Sequence, residues 1–103
     1  MTARRYRPLA PEEAAALAPA PWHVVDGRFV AAFRPGSMVR GLEFVSRIVA
    51  AAEALDHHPD IDFRYATVAL ELSTHAIGGL SDADVDLATT ISGIADELGV
   101  APA

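Results

Sequence analysis

The chain has 103 residues, a length that allows one domain with a compact core. Hydrophobic residues make up 51% of it and charged residues 21%, a globular balance that argues against disorder. The formal net charge of −6 disfavours a broad nucleic-acid-binding face, because an acidic surface repels phosphates. With no cysteine in the chain, disulfides and thiolate metal sites are excluded.

The sequence shows neither an N-terminal apolar leader nor an apolar run of membrane-spanning length. We therefore expect a soluble cytoplasmic protein that binds neither membranes nor nucleic acid. No repeat, linker or change in composition divides the chain. Residues 1–103 are accordingly predicted to form a single domain.

The N-terminal part of the sequence predicts a short helix followed by a β-hairpin. The helix, over 11–18, would begin at a proline and carry two glutamates in its first turn, where the helix dipole favours negative charge. Strands over 22–25 and 28–33 are joined by Asp26-Gly27. This dipeptide is typical of a type I′ turn, which needs positive φ at both central residues.

A long amphipathic helix is predicted from about 38 to 55, with Ser37 as its N-cap. Apolar residues recur along it at steps of three and four, which is the helical period. Pro59 marks the latest position at which this helix can end. The predicted buried stripe is Met38, Leu42, Val45, Ile48, Val49, Ala52 and Leu55.

The C-terminal half of the sequence repeats the order of strand, strand and helix. Apolar and polar residues alternate over 61–65 and again over 68–72, which predicts two strands. After a Gly-Gly turn, Ser81 can cap a final helix over about 82–98. The resulting α-β-β-α-β-β-α order predicts an α+β fold, with one four-stranded antiparallel sheet and the helices on one face. The other sheet face would be open to a ligand or to another subunit.

Three of the four histidines lie where predicted elements end. His57 and His58 close the long helix, whose C-terminal dipole favours the protonated imidazole, as does the neighbouring Asp56. His75 follows the strand over 68–72, on the side away from the core. With that strand at the centre of the sheet, its end lies close to the end of the long helix. The sequence thus predicts a pocket lined by three imidazoles, which suits general acid–base chemistry.

Structural roles for these residues remain open at this point. A His-His-Pro sequence can serve only to end a helix, and a lone histidine after a strand is often a surface residue. Ser81 and Asp84 have the spacing of a capping box, which gives Asp84 a structural use. His23, in the first strand, is interpreted as structural.

Two other kinds of site are disfavoured. A zinc site would need a better chelating pair than adjacent histidines, whose side chains diverge. A Ser–His–Asp hydrolase would need a nucleophile elbow and an oxyanion loop, and neither surrounds Ser73.

A set of residues with fixed spacing extends beyond the histidines: Glu53, Asp56-His57-His58-Pro59, Tyr65, Ser73-Thr74-His75, Gly79-Leu80 and Asp84. This pattern resembles the signature of a known family, the pterin-4a-carbinolamine dehydratases. The similarity extends more weakly through Trp22, the hairpin and the long helix, so that it covers most of residues 10–98. The chain departs from the family at Ile61, where many members carry an aromatic residue, and at Pro21, where a glycine usually precedes the tryptophan.

This resemblance implies a fold, an assembly and a reaction. Family members have a four-stranded antiparallel sheet with helices on one face and form homodimers or homotetramers. They remove water from a tetrahydropterin that carries a hydroxyl at C4a, giving the quinonoid dihydropterin, with no metal or organic cofactor. Some relatives instead act as binding or assembly modules, which is the alternative function, although scaffolding needs no imidazole cluster.

The resemblance also implies the residues of the site, none of them a metal ligand. The imidazoles that would act on and hold the pterin are His57, His58 and His75. The residues that would flank it are Asp56, Ser73, Thr74, Ala76 and Asp84. Of these, Asp84 matches a family acid that would orient His75.

Overall fold

A computed structural model describes residues 5–103 and shows an antiparallel sheet with the long helices on one face. The predicted α+β class and order of elements are confirmed. No helix among the described residues is long and apolar enough to cross a membrane. The elements are α1 (Pro11–Leu17), β1 (His23–Val25), β2 (Arg28–Arg34), α2 (Met38–Leu55), β3 (Asp60–Phe63), β4 (Val68–Leu72), a 3₁₀ turn (His75–Ile77), α3 (Asp82–Leu98) and β5 (Ala101–Pro102).

The sheet has the strand order β1-β2-β4-β3, and all of these pairs are antiparallel. Asp26 and Gly27 join β1 to β2 with φ values of 50° and 74°, as a type I′ turn requires. The condition set for the histidine pocket is met, because β4 is a central strand, flanked by β2 and β3. The C-terminal end of β4 therefore lies in the middle of the sheet, between β2 and β3.

Alternation along β2 and β4 decides which sheet face the helices cover. Phe29 lies opposite Leu72 and Phe33 opposite Val68, and all four side chains are buried. Arg28, Val30 and Ala32 point to the other face. There Arg28 pairs with Glu71 at 2.7 Å, and both side chains are partly exposed. The buried face of the sheet, which carries the two phenylalanines, packs against α3 through Leu87, Ala88, Ile91, Ile94 and Ala95.

The predicted buried stripe of α2 is partly wrong, because the helix is rotated about its axis. Its buried residues are Gly41, Phe44, Ile48 and Ala52, whereas Met38, Leu42 and Val49 are exposed. Phe44 packs edge-on against Phe33, with ring centroids 5.2 Å apart. Periodicity alone missed this face, because apolar residues occur on more than one side of α2 and Gly41, which lies close to Phe63, adds no hydrophobic signal.

Two boundaries also differ from the prediction. The first of the two later strands ends at Phe63, and Tyr65 lies in a turn that Arg64 N–H closes by donating to the Thr67 carbonyl at 2.9 Å. The short strand β5 was not predicted. It pairs with β2 at Phe33 and Arg34, beyond the part of β2 that the three-residue β1 covers. It thereby occupies a sheet edge that would otherwise be bare.

Replacing Gly41 by alanine is expected to lower the free energy of unfolding by up to about 2 kcal/mol. A Cβ there would lie 2.8 Å from Phe63 Cε1 and 3.3 Å from Pro35 Cγ. Overpacking of this kind costs about 1–3 kcal/mol, and the gain of about 1 kcal/mol from helix propensity offsets only part of that cost. Urea denaturation measures the change.

The matched control is Gly93→Ala in α3, where a Cβ would meet nothing within 4 Å. Helix propensity then acts alone, and stability should rise by roughly 0.5–1 kcal/mol. Equal effects of the two substitutions would contradict the close approach of α2 to β3.

Candidate active site

The end of α2 positions His57 through its backbone. Asp56 adopts a left-handed conformation, with φ 50° and ψ 45°. Its N–H donates to the Glu53 carbonyl, and the His57 N–H donates to the Ala52 carbonyl at 3.1 Å. This is a Schellman arrangement, which usually uses glycine but also tolerates a short polar residue such as aspartate. The chain therefore turns sharply and directs the next residue, His57, back into the protein.

Behind His57 lies a buried carboxylate. Asp84 Oδ1 is 2.7 Å from His57 Nε2, and the two side chains are 0% and 7% exposed, respectively. An ionised carboxylate only accepts hydrogen bonds, so Nε2 is the donor. That leaves Nδ1 as the ring nitrogen of His57 that can exchange a proton with a ligand.

The other oxygen of Asp84 is also satisfied. Oδ2 accepts from Thr74 Oγ1 at 2.7 Å and from the Ser81 N–H at 2.9 Å. Ser81 Oγ is 2.7 Å from Thr74 Oγ1 and accepts from the Ala83 N–H. The predicted capping box is confirmed, and Asp84 serves both as helix cap and as partner of His57. It hydrogen-bonds His57, not His75, so the expected orientation of His75 by this carboxylate is wrong.

His58 has a different partner and a different environment. Its Nε2 is 2.5 Å from Glu53 Oε2, one turn back on α2. More than half of each side chain is exposed, at 55% and 69%. Such an exposed pair contributes little to stability, about 0.2–1 kcal/mol. It does, however, restrict which way the imidazole turns.

His75 lies in a tight loop after β4, not on an extension of the strand. Thr74 and Gly79 pair across the base of this loop, and the Gly78 N–H donates to the His75 carbonyl. Gly78 has φ 65°, a conformation that disfavours a side chain. The His75 ring is exposed and makes no hydrogen bond with any residue in 5–103. It is therefore available to a ligand.

One cleft of about 190 Å³ brings most of the predicted site residues together. Asp84 lies outside its lining and acts on it through His57. Sequence reasoning missed Tyr6, which carries no signal at the level of spacing, and it predicted Ser81 only as a helix cap. The lining residues are Tyr6, Asp56, His57, His58, Ser73, Thr74, His75 and Ala76.

A larger groove, of about 580 Å³, lies between α2 and α3. It is bounded by the Arg47–Glu97 ion pair and by small side chains and contains no imidazole. The smaller cleft, which contains the imidazoles, is therefore the candidate site for acid–base chemistry. Within residues 5–103, no three His, Asp or Glu side chains are grouped as a metal site would require.

Fold and site together define an α+β domain with a cluster of histidines suited to acid–base chemistry on a small ligand. The chain belongs to the pterin 4 alpha carbinolamine dehydratase family, whose model matches residues 7–94. Members of this family are hydro-lyases.

Individual relatives agree with this assignment. A Mycolicibacterium vanbaalenii protein assigned by name to the pterin-4-alpha-carbinolamine dehydratases is 42% identical over 73 residues, covering 71% of this chain and 78% of the relative. One from Herpetosiphon aurantiacus is 45% identical over 73 residues, covering 71% and 76%. The crystal structure of a transcriptional coactivator/pterin dehydratase from Brucella melitensis superposes with a TM-score of 0.78 at 28% identity, covering 84% and 97%.

A more distant structure shares the fold. It is a pterin dehydratase-like protein identified as a RuBisCO assembly factor in the alpha-carboxysome. Its TM-score is 0.59 at 21% identity, with 72% of this chain and 86% of that chain covered.

Substituting Thr74 by valine is expected to lower the free energy of unfolding by about 1–3 kcal/mol. The change keeps the side-chain shape but removes a donor to the buried Asp84 and the partner of the Ser81 hydroxyl. Urea denaturation provides the measurement. Ser73→Ala is the control, because Ser73 lines the same cleft and its side chain has no hydrogen bond with residues 5–103. If both variants have the same free energy of unfolding as the parent protein, the hydrogen bonds around the carboxylate do not stabilise the fold.

Proposed function

We propose that this protein removes water from a tetrahydropterin that carries a hydroxyl at C4a, giving the quinonoid dihydropterin. The observation that carries the proposal is the cleft in which three imidazoles meet, one of them backed by a buried carboxylate. Family membership supplies the pterin as the substrate. The cleft is smaller than the about 300–1,000 Å³ typical of sites for drug-sized ligands, which suits a flat bicyclic ring system.

The proposed reaction needs one acid and one base. The acid donates a proton to the C4a hydroxyl, and the C–O bond breaks with its electron pair leaving on oxygen as water. The lone pair of the adjacent ring nitrogen forms the new double bond to C4a. The base then removes a proton from the ring system, so that one proton is given and one is taken back. Imidazole can perform both steps near neutral pH.

His57 is suited to a step that requires fixed geometry. Its Nε2 is held by Asp84, so the ring has one orientation and one nitrogen left for the substrate. The carboxylate also stabilises the imidazolium whenever the ring carries two protons. A mobile surface histidine would lose entropy each time it met the substrate, and this cost is avoided when the ring is positioned before binding.

His58 and His75 are suited to proton exchange with solvent, because both are exposed. His58 is oriented by Glu53, whereas the His75 ring stands free at the tip of its loop. Asp56, Ser73, Thr74 and Ala76 would then contact the polar edge of the pterin. We assign no metal or organic cofactor to this chemistry, and we place the enzyme in the cytoplasm.

The alternative is a binding or assembly module. The distant structural relative is itself identified as an assembly factor. A module that only binds a partner has no need for a histidine that shares a buried carboxylate with a threonine hydroxyl and a backbone N–H. The dehydratase is therefore the better supported function. A homodimer or homotetramer is compatible with either function.

Replacing His57 or His75 by alanine is expected to lower the rate of dehydration by about 10²–10⁴-fold, the usual contribution of a general acid or base. The substrate is a 4a-hydroxytetrahydropterin generated in the assay by a hydroxylase, and its ultraviolet absorbance reports its conversion. The rate is compared with spontaneous dehydration in buffer.

His23→Ala is the matched control, since His23 is an exposed histidine on β1 that does not line the cleft. It should retain the activity of the unmodified protein. An unmodified protein no faster than buffer would contradict the proposed function, and equal losses in all three variants would contradict the assignment of the site.

A further inference from the structure

Tyr6 is the residue of the cleft lining that comes from neither of the two histidine segments, 56–58 and 73–76. Its ring centroid lies 6.2 Å from that of His57, and the ring planes are tilted by 50°. Aromatic pairs attract at centroid separations of about 4.5–7 Å, so the two rings are in contact range. The phenol ring is partly buried. It forms one wall of the cleft beside the imidazole that Asp84 holds.

The next three residues, 7–9, hold this wall in place, and we refer to them as the N-terminal strap. The Arg7 N–H donates to Asp82 Oδ1 at 3.0 Å, and the Asp82 N–H donates to the Arg7 carbonyl at 3.1 Å. The Leu9 N–H donates to the Leu80 carbonyl at 3.0 Å, and the Leu9 side chain is buried in the core. Tyr6 is thus attached to an ordered backbone.

The strap and the carboxylate network share one segment of the chain. Residues 80–82 pair with the strap, and Ser81 within that segment donates its N–H to Asp84. His57 is therefore held through Asp84, which accepts from the Ser81 N–H of this segment, while Tyr6 is attached to the strap that pairs with the backbone of the same segment. This common support keeps the phenol ring and the imidazole ring on the same side of the cleft.

We propose that Tyr6 is a substrate-binding residue whose phenol ring packs against the flat heteroaromatic ring of the pterin. This inference rests on the proposed function and assigns a residue outside the histidine motif to it. The rest of the lining is imidazole, carboxylate, hydroxyl and a methyl group, so Tyr6 supplies the benzenoid surface of the cleft. Stacking of the phenol ring on the pterin is nearly the same before the C4a–O bond breaks and while it breaks. It therefore strengthens ground-state and transition-state binding alike and acts on KM more than on kcat.

The test compares Tyr6→Leu with Tyr6→Phe. Leucine removes the ring and keeps an apolar side chain, whereas phenylalanine keeps the ring and removes only the hydroxyl. Binding is measured with 6-methyl-7,8-dihydropterin, which has no 4a-hydroxyl and so does not react, and kcat and KM are measured with the 4a-hydroxytetrahydropterin. For Tyr6→Leu we expect Kd and KM to rise about tenfold with kcat within about twofold, since stacking on an aromatic side chain is commonly worth about that factor or more. Tyr6→Phe should behave like the parent protein.

Tyr65→Leu is the matched control, because Tyr65 is 72% exposed in the β3–β4 turn, at the end of β4 opposite to the cleft. It should leave Kd, KM and kcat unchanged. A thermal melt of each variant checks that Tyr6→Leu retains the parent Tm within a few degrees.

The remaining outcomes overturn the inference in distinguishable ways. If Tyr6→Leu binds the dihydropterin as the parent does, the phenol ring is not a substrate contact. If Tyr6→Phe loses as much affinity as Tyr6→Leu, the hydroxyl and not the ring makes the contact. A loss of kcat at unchanged Kd would mean that Tyr6 acts through His57 as a positioning residue. A parent protein that neither binds nor converts the pterin would overturn the proposed function, and the role of Tyr6 with it.

Discussion

The buried carboxylate of Asp84 is the interaction on which both the fold around the site and the site itself depend. It joins the end of α2 through His57, the end of β4 through Thr74 and the start of α3 through Ser81. Removing a charge from water is costly unless hydrogen bonds replace its hydration. Here three donors surround one side chain with no solvent exposure, and no described buried side-chain polar atom lacks a partner. Three elements are thereby held at fixed positions around one point.

The cleft combines a buried histidine with two exposed ones, and their side chains have different partners. His57 is buried against a carboxylate, whereas His58 and His75 lie in solvent on a helix end and a short loop. Proton transfer to a bound substrate requires a fixed donor–acceptor distance, which burial secures. Replacement of the transferred proton requires contact with water, which exposure secures. The two requirements conflict for one residue, and in the proposed reaction different residues of one cleft would meet them.

Much of the fold could be predicted because the local signals agree with the tertiary contacts. Asp26-Gly27 has the backbone angles that its turn type demands, and Ser37 and Ser81 cap the helices that follow them. The stripe of α2 was the main error. Its apolar residues occur on more than one face, and packing against Phe63 selected the face that contains Gly41. The face of a helix that becomes buried depends on how well its side chains fit the neighbouring element as well as on their hydrophobicity. The period of apolar residues in the sequence does not report that fit.

The sequence by itself determined the helices, the strands of the two hairpins, and the set of polar residues from which a site can be made. These features could be predicted because the signals for turns, helix caps and strands each lie within a few residues of sequence. Only the tertiary structure decided which histidine the buried acid holds and that Tyr6 lies beside it. Those contacts join His57 to residues far from it in the chain, Asp84 and Tyr6, and they arise from the packing of α2, α3 and the N-terminal strap on a single sheet.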